Sequence, residues 1–122
     1  MTPGEIVTRF IERIEALDVD GAVSLLALDV LYDNVPMPDI VGREQVRAVL
    51  TSFMGAAQRV EWNVLRQVES GSTVLNERID IFEYPTHRVE LPVAGVFEVV
   101  DGLITLWRDY FDLDSYRRQS PG

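Results

Sequence analysis

The chain has 122 residues, with 20 Asp and Glu against 11 Lys and Arg, a formal net charge of -9. That length predicts one domain over 1–122, and the acidic balance argues against partners that are nucleic acids or anionic membranes. There is no cysteine and only one histidine, His87, which removes disulfides, thiolate or multi-histidine metal sites and a cysteine nucleophile.

Thr2-Pro3-Gly4-Glu5 predicts a helix start, with Thr2 as N-cap, Pro3 at the first helical position and Glu5 completing a capping box. Ile6, Val7, Phe10, Ile11, Ile14 and Leu17 follow at helical spacing. A short second helix, capped by Asp20, is expected to run through Leu26. The chain then turns extended from Leu28 to Asn34. Pro36-Met37-Pro38 forces a loop. A third helix follows Gly42, with Val46, Val49, Leu50, Phe53 and Met54 as its apolar stripe.

From Arg59 the period changes to two, which predicts strands at 59–69, 73–83, 88–100 and 103–112. Asp101-Gly102 is a type I′ hairpin signal. The tail from Asp114 to Gly122 is polar and is expected to fray. This order predicts an α+β fold: a curved, mostly antiparallel sheet wrapped around N-terminal helices, with an apolar mouth suited to a small molecule. No apolar run approaches the roughly 18 residues needed to cross a bilayer. The first residues lack the basic and apolar segments of a secretory signal. A cytoplasmic location is therefore expected, and the absence of cysteine fits it.

The strands carry polar residues where an apolar face is expected. Arg78 and Asp80 are two apart and point the same way. Asp109 interrupts the face of Leu103, Thr105, Trp107 and Phe111. Tyr32 and Asn34 leave the first strand together, and alternation turns Asp33 to the other side. A carboxylate on an apolar face is costly unless paired, and Arg78 is able to bridge two acids. A structural ion pair is the plainer reading of any one pair; three same-face clusters in a small domain favour a site.

In its motifs Tyr32-Asp33-Asn34, Asn76-Glu77-Arg78-Ile79-Asp80 and Leu106-Trp107-Arg108-Asp109-Tyr110-Phe111-Asp112, the chain resembles the limonene-1,2-epoxide hydrolases, within the group of folds like nuclear transport factor 2. The resemblance implies a cone-shaped fold, no cofactor, and an epoxide and water as substrates. It also implies five site residues: Asp109 as base, Tyr32 and Asn34 holding the attacking water, Asp80 as the acid on the epoxide oxygen, and Arg78 between the acids. An acid and a base on opposite sides of the substrate meet the needs of epoxide opening, since the oxygen leaves poorly until protonated and water attacks poorly until deprotonated. The two acids are expected to share one proton at rest, with Arg78 nearer electrostatically to Asp109.

Ile14, Phe53, Phe82, Leu91, Val93 and Phe111 are candidates for the substrate wall, and Trp107 is read as core. Ile79, Ile81, Val96 and Tyr110 are apolar residues expected on the outer sheet face, where a homodimer could form. Two other readings fit the same cone: an isomerase or polyketide-cyclase-like enzyme with a carbonyl substrate, and a non-catalytic small-ligand-binding dimer.

Overall fold

The computed structural model describes residues 1–121. The element order is α1 (Pro3–Glu15), α2 (Val19–Val23), β1 (Leu26–Val35), β2 (Ile40–Val41), α3 (Arg43–Ala56), β3 (Arg59–Ser70), β4 (Thr73–Glu83), β5 (Arg88–Val100), β6 (Leu103–Tyr110) and α4 (Leu113–Gln119). One six-stranded sheet runs β2-β1-β6-β5-β4-β3. All its pairings are antiparallel except β1 with β6. This is the curved α+β sheet the period change predicts.

α1 begins as expected: Thr2 accepts from the Glu5 amide, and the Glu5 side chain accepts from the Thr2 amide. Its apolar stripe, Ile6, Val7, Phe10, Ile11 and Ile14, is buried in the cone. Phe10 meets Trp62, Phe97 and Trp107 edge-on, so core side chains from three strands converge on one ring. Glu15 accepts from the backbone N–H of Trp62 at 3.0 Å and so satisfies a donor on β3, the edge strand. At the β5–β6 hairpin Asp101 and Gly102 both have positive φ, 53° and 79°, the backbone that a type I′ turn requires.

Three expectations need correction. Asp18, not Asp20, caps α2, because its side chain reaches the Gly21 amide. Leu26 already belongs to β1. The tail does not fray at Asp114: Asp112 caps α4 through the Asp114 amide, and the helix continues to Gln119. The tail's last residue, Gly122, lies outside the described residues. The sheet's outer face carries exposed Val68, Leu75 and Tyr110, whereas Ile81 is buried. Among the described residues no helix is long and apolar enough to cross a membrane.

Candidate active site

Residues 76, 78 and 80 share one face of β4 by strand alternation, and the cone's curvature turns that face inward. Asn76, Arg78, Asp80 and Asp109 are all buried, Arg78 at 0% exposure and the two acids at 3% and 5%. The Arg78 guanidinium meets three partners. Nε and Nη2 donate to the two oxygens of Asp80, each at 3.0 Å. Nη2 also donates to Asp109 Oδ2 at 3.0 Å, and Nη1 donates to Asn76 Oδ1 at 3.0 Å. Its flat face lies 4.5 Å from the Trp62 ring centre, a cation–π contact.

The Asp109 charge is the largest support of the Arg78 guanidinium, while in hydrogen bonds Arg78 gives its fork to Asp80 and a single bond to Asp109. The reason is local: Asp80 is two residues away on the same strand, whereas Asp109 lies across β5. The crossing point is Gly95, which pairs with Asn76 on one side and Asp109 on the other. A Cβ there would stand 2.5 Å from Arg78 Nη1, 2.6 Å from Asn76 Oδ1 and 3.1 Å from Asp109 Oδ1. The guanidinium spans β5 because this residue has no side chain.

Behind the arginine, the Asn76 amide donates to Gln67 Oε1 at 3.2 Å. Gln67 in turn donates to the carbonyl of Gly4 at 3.2 Å. A hydrogen-bonded line thus runs from the acids to the first turn of α1. Asn76 and Gln67 were not among the expected site residues.

The remaining groups arrive from β1. Its parallel register with β6 sets Tyr32 beside Trp107 and Asn34 beside Asp109. Tyr32 stacks on Trp107, ring centres 3.8 Å apart. Trp107 Nε1 donates to Asp109 Oδ2 at 3.0 Å. Asp109 Oδ2 is therefore held twice, and Oδ1 is buried without a partner among the described residues. Asp33 faces outward and accepts from Arg108 at 2.7 Å, as alternation requires.

Burial pushes the Asp80 carboxyl up to about 6, against the lowering pull of Arg78's hydrogen bonds and charge; Asp109 and Glu15 add to the rise. Burial, then the Asp109 charge, also raises the Tyr32 phenol, so it remains an O–H donor. Burial opposes the Arg78 charge, but Asp109 and Asp80 outweigh it and hold the guanidinium protonated. The arrangement combines a carboxyl that takes a proton near neutrality, a second carboxylate with a free oxygen, and two neutral polar side chains beside it. It is suited to moving one proton onto a ligand and one off a water.

These groups close one end of a cavity of ≈ 230 Å³. Phe53, Phe82, Leu91, Val93 and Phe111, the candidates for a substrate wall, line it. Ile14 does not: it sits at 0% exposure in the core below. Trp107, read as core, lines the cavity as well as packing on Phe10. Met37, Val49, Leu50, Trp62 and Tyr116 complete the wall. The α3 stripe signalled Val49 and Leu50; nothing local to Tyr116 marks it. Among the described residues no group of three or more His, Cys, Asp or Glu could hold a metal ion.

Comparison with known proteins bears on this geometry. Residues 1–120 match the family model described as the limonene-1,2-epoxide hydrolase catalytic domain. Epoxide hydrolase EphG of Mycobacterium tuberculosis is 37% identical over 107 residues, 88% of this chain and 71% of that protein. The structure of an M. tuberculosis LEH-like epoxide hydrolase superposes with a TM-score of 0.85 at 35% identity, covering 94% of this chain and 86% of that one. An NTF2-like protein from Cytophaga hutchinsonii shares the fold with a TM-score of 0.79 at 19% identity, covering 96% of each chain.

Proposed function

The chain belongs to the limonene-1,2-epoxide hydrolase family, and from that premise we propose that it adds water to a small apolar epoxide in one displacement, giving a vicinal diol. Asp109 Oδ1 takes the proton of a water that Tyr32 and Asn34 orient. Asp80 gives its proton to the epoxide oxygen as the C–O bond breaks. The water oxygen forms its bond at the opposite side of that carbon, which inverts. Arg78 keeps both carboxyl groups in place and lowers the repulsion between them. After release of the diol, Asp109 holds the proton and Asp80 lacks one, and exchange with solvent restores the pair.

The observation that carries this reading is the unequal treatment of the two acids. Asp80 is pushed up to about 6 and so retains a proton for donation at mildly acid pH. Asp109 keeps one oxygen unpartnered at a cavity-lining position, next to Asn34 across the β1–β6 ladder. The cavity is ≈ 230 Å³, and beyond Tyr32, Asn34, Asp80 and Asp109 its lining is apolar or aromatic. That lining fits a cyclic, terpene-like or aryl epoxide without a charged group.

A single turnover in ¹⁸O-labelled water, with enzyme in excess over styrene oxide, tests the reading. Direct attack puts the label into the diol and leaves both aspartates unlabelled. An unlabelled diol with label in a peptide containing Asp80 or Asp109 shows a covalent ester instead. Absence of any diol from a panel of apolar epoxides removes the activity altogether.

A further inference from the structure

β6 ends at Tyr110, whose partner on β5 is Ala94. β5, however, starts at Arg88. Its first residues therefore have β4 on one side and no strand on the other. At Glu90 that open side is filled by a side chain. The Glu90 N–H donates to Gln119 Oε1 at 2.8 Å, and Gln119 Nε2 donates back to the Glu90 carbonyl at 3.0 Å. One primary amide thus makes the two hydrogen bonds that a strand residue would make there. The same amide group also donates to the Ser115 carbonyl at 3.2 Å, one turn back in α4, which ties the clip to its own helix.

α4 matters because it supplies Tyr116 to the cavity wall, where the ring meets Phe111 edge-on. No residue of α4 is buried. Apolar burial, the usual fastening of a terminal helix, is thus weak here, and among the described residues the Gln119–Glu90 pair is the hydrogen-bonded link that joins α4 to the sheet. A wall held this way opens locally at low cost.

We infer that Gln119 is a specificity-determining residue: by clipping α4 to β5 it holds Tyr116 as the outer wall and restricts the cavity to compact apolar epoxides and their diols. This rests on the epoxide-hydrolase reading for the ligand class, but not for the clip. Gln119 touches no reacting atom and acts through Tyr116.

The test uses the full chain, wild type against Gln119→Ala and Gln119→Glu, with two readouts. The first is hydrogen exchange at the Glu90 amide, which needs no ligand. The second is binding of two inert diols, 1-phenyl-1,2-ethanediol and the bulkier 1,2-diphenyl-1,2-ethanediol, followed by the fluorescence of the cavity tryptophans Trp62 and Trp107. In Gln119→Ala the Glu90 amide exchanges about tenfold faster or more. The affinity ratio of bulky to small diol rises about tenfold, and turnover of styrene oxide stays within about twofold. Gln119→Glu keeps the acceptor, loses the donor and falls between. Unchanged Glu90 exchange shows that there is no clip. Faster exchange with an unchanged diol ratio shows a clip that does not select ligands; either result overturns the inference. A shifted ratio in a protein that makes no diol sinks the catalytic reading and leaves the clip standing.

Discussion

Arg78 with Asp80 and Asp109, and Arg108 with Asp33, are two ion clusters on opposite faces of one sheet. Asp109 and Arg108 are consecutive on β6, so the strand's alternation alone sends one inward and one outward. The inner arginine is fully buried and bonds to three side chains. The outer pair is partly exposed and is joined by one hydrogen bond. The same charges thus serve different ends. The outer pair sits near water, where such pairs contribute little. The inner charges have lost their water, so each depends on the others, and the proton affinities of Asp80 and Arg78 depart from ordinary values.

The largest separation between the clusters is expected in activity. Asp80→Asn and Asp109→Asn each lower kcat/KM for a cleaved epoxide by roughly 10²–10⁴-fold, and the double variant loses little more than either single one. Near-normal turnover in either variant removes that residue from the mechanism. Asp33→Asn and Arg108→Ala, on the other face, change activity by less than about twofold.

Stability separates them next. Arg78→Ala leaves two buried acids without their partner and costs about 3–5 kcal/mol, measured by urea unfolding. Arg78→Lys keeps the charge but not the fork, and loses activity while recovering part of that stability. Gly95→Ala puts a methyl group on the line between β4 and β6 and costs about 1–3 kcal/mol. Arg108→Ala costs about 1 kcal/mol or less. An equal effect from Arg78→Ala and Arg108→Ala would erase the distinction between the faces.

The smallest effect is in pH. Asp80 has a folded-state value of about 6, above its usual 3.8. A carboxyl raised in this way is protonated more readily in the fold than in the open chain. Its contribution to stability is present in full below about 3.8 and is lost as pH rises through about 6. The thermal midpoint of the wild type, relative to Asp80→Asn, should therefore decline between pH 4 and pH 6. Parallel curves for the two proteins over that range contradict the raised value.

Most elements of the fold could be read from periodicity, because the helical stripes and the alternating strands run long enough to identify themselves. Tyr32, Asn34, Arg78, Asp80 and Asp109 stood out as polar residues on apolar faces. Gly95, Asn76 and Gln67 did not, since their importance comes from which residue lies opposite them, and register is set by pairing rather than by local pattern. Ile14 was misplaced for a related reason: helix periodicity says that it faces inward, not whether core or cavity lies there. α4 was missed because a seven-residue polar helix has little intrinsic stability and is held by Gln119, whose partner Glu90 is distant in sequence.

The parallel seam between β1 and β6 has a consequence for how the protein acquires its activity. Asp33 and Arg108, neighbours across that seam, are 75 residues apart in the chain. The β3–β4 and β4–β5 hairpins close through short turns and place Arg78 and Asp80 with no help from β1. Long-range pairing of this kind forms slowly compared with local hairpins. A chain caught before β1 docks has Arg78 and Asp80 in place but lacks Tyr32 and Asn34 beside Trp107 and Asp109. If the proposed reaction holds, the return of diol-forming activity during refolding reports the docking of one strand, while circular dichroism reports the rest of the sheet, and the interval between the two signals times that single event.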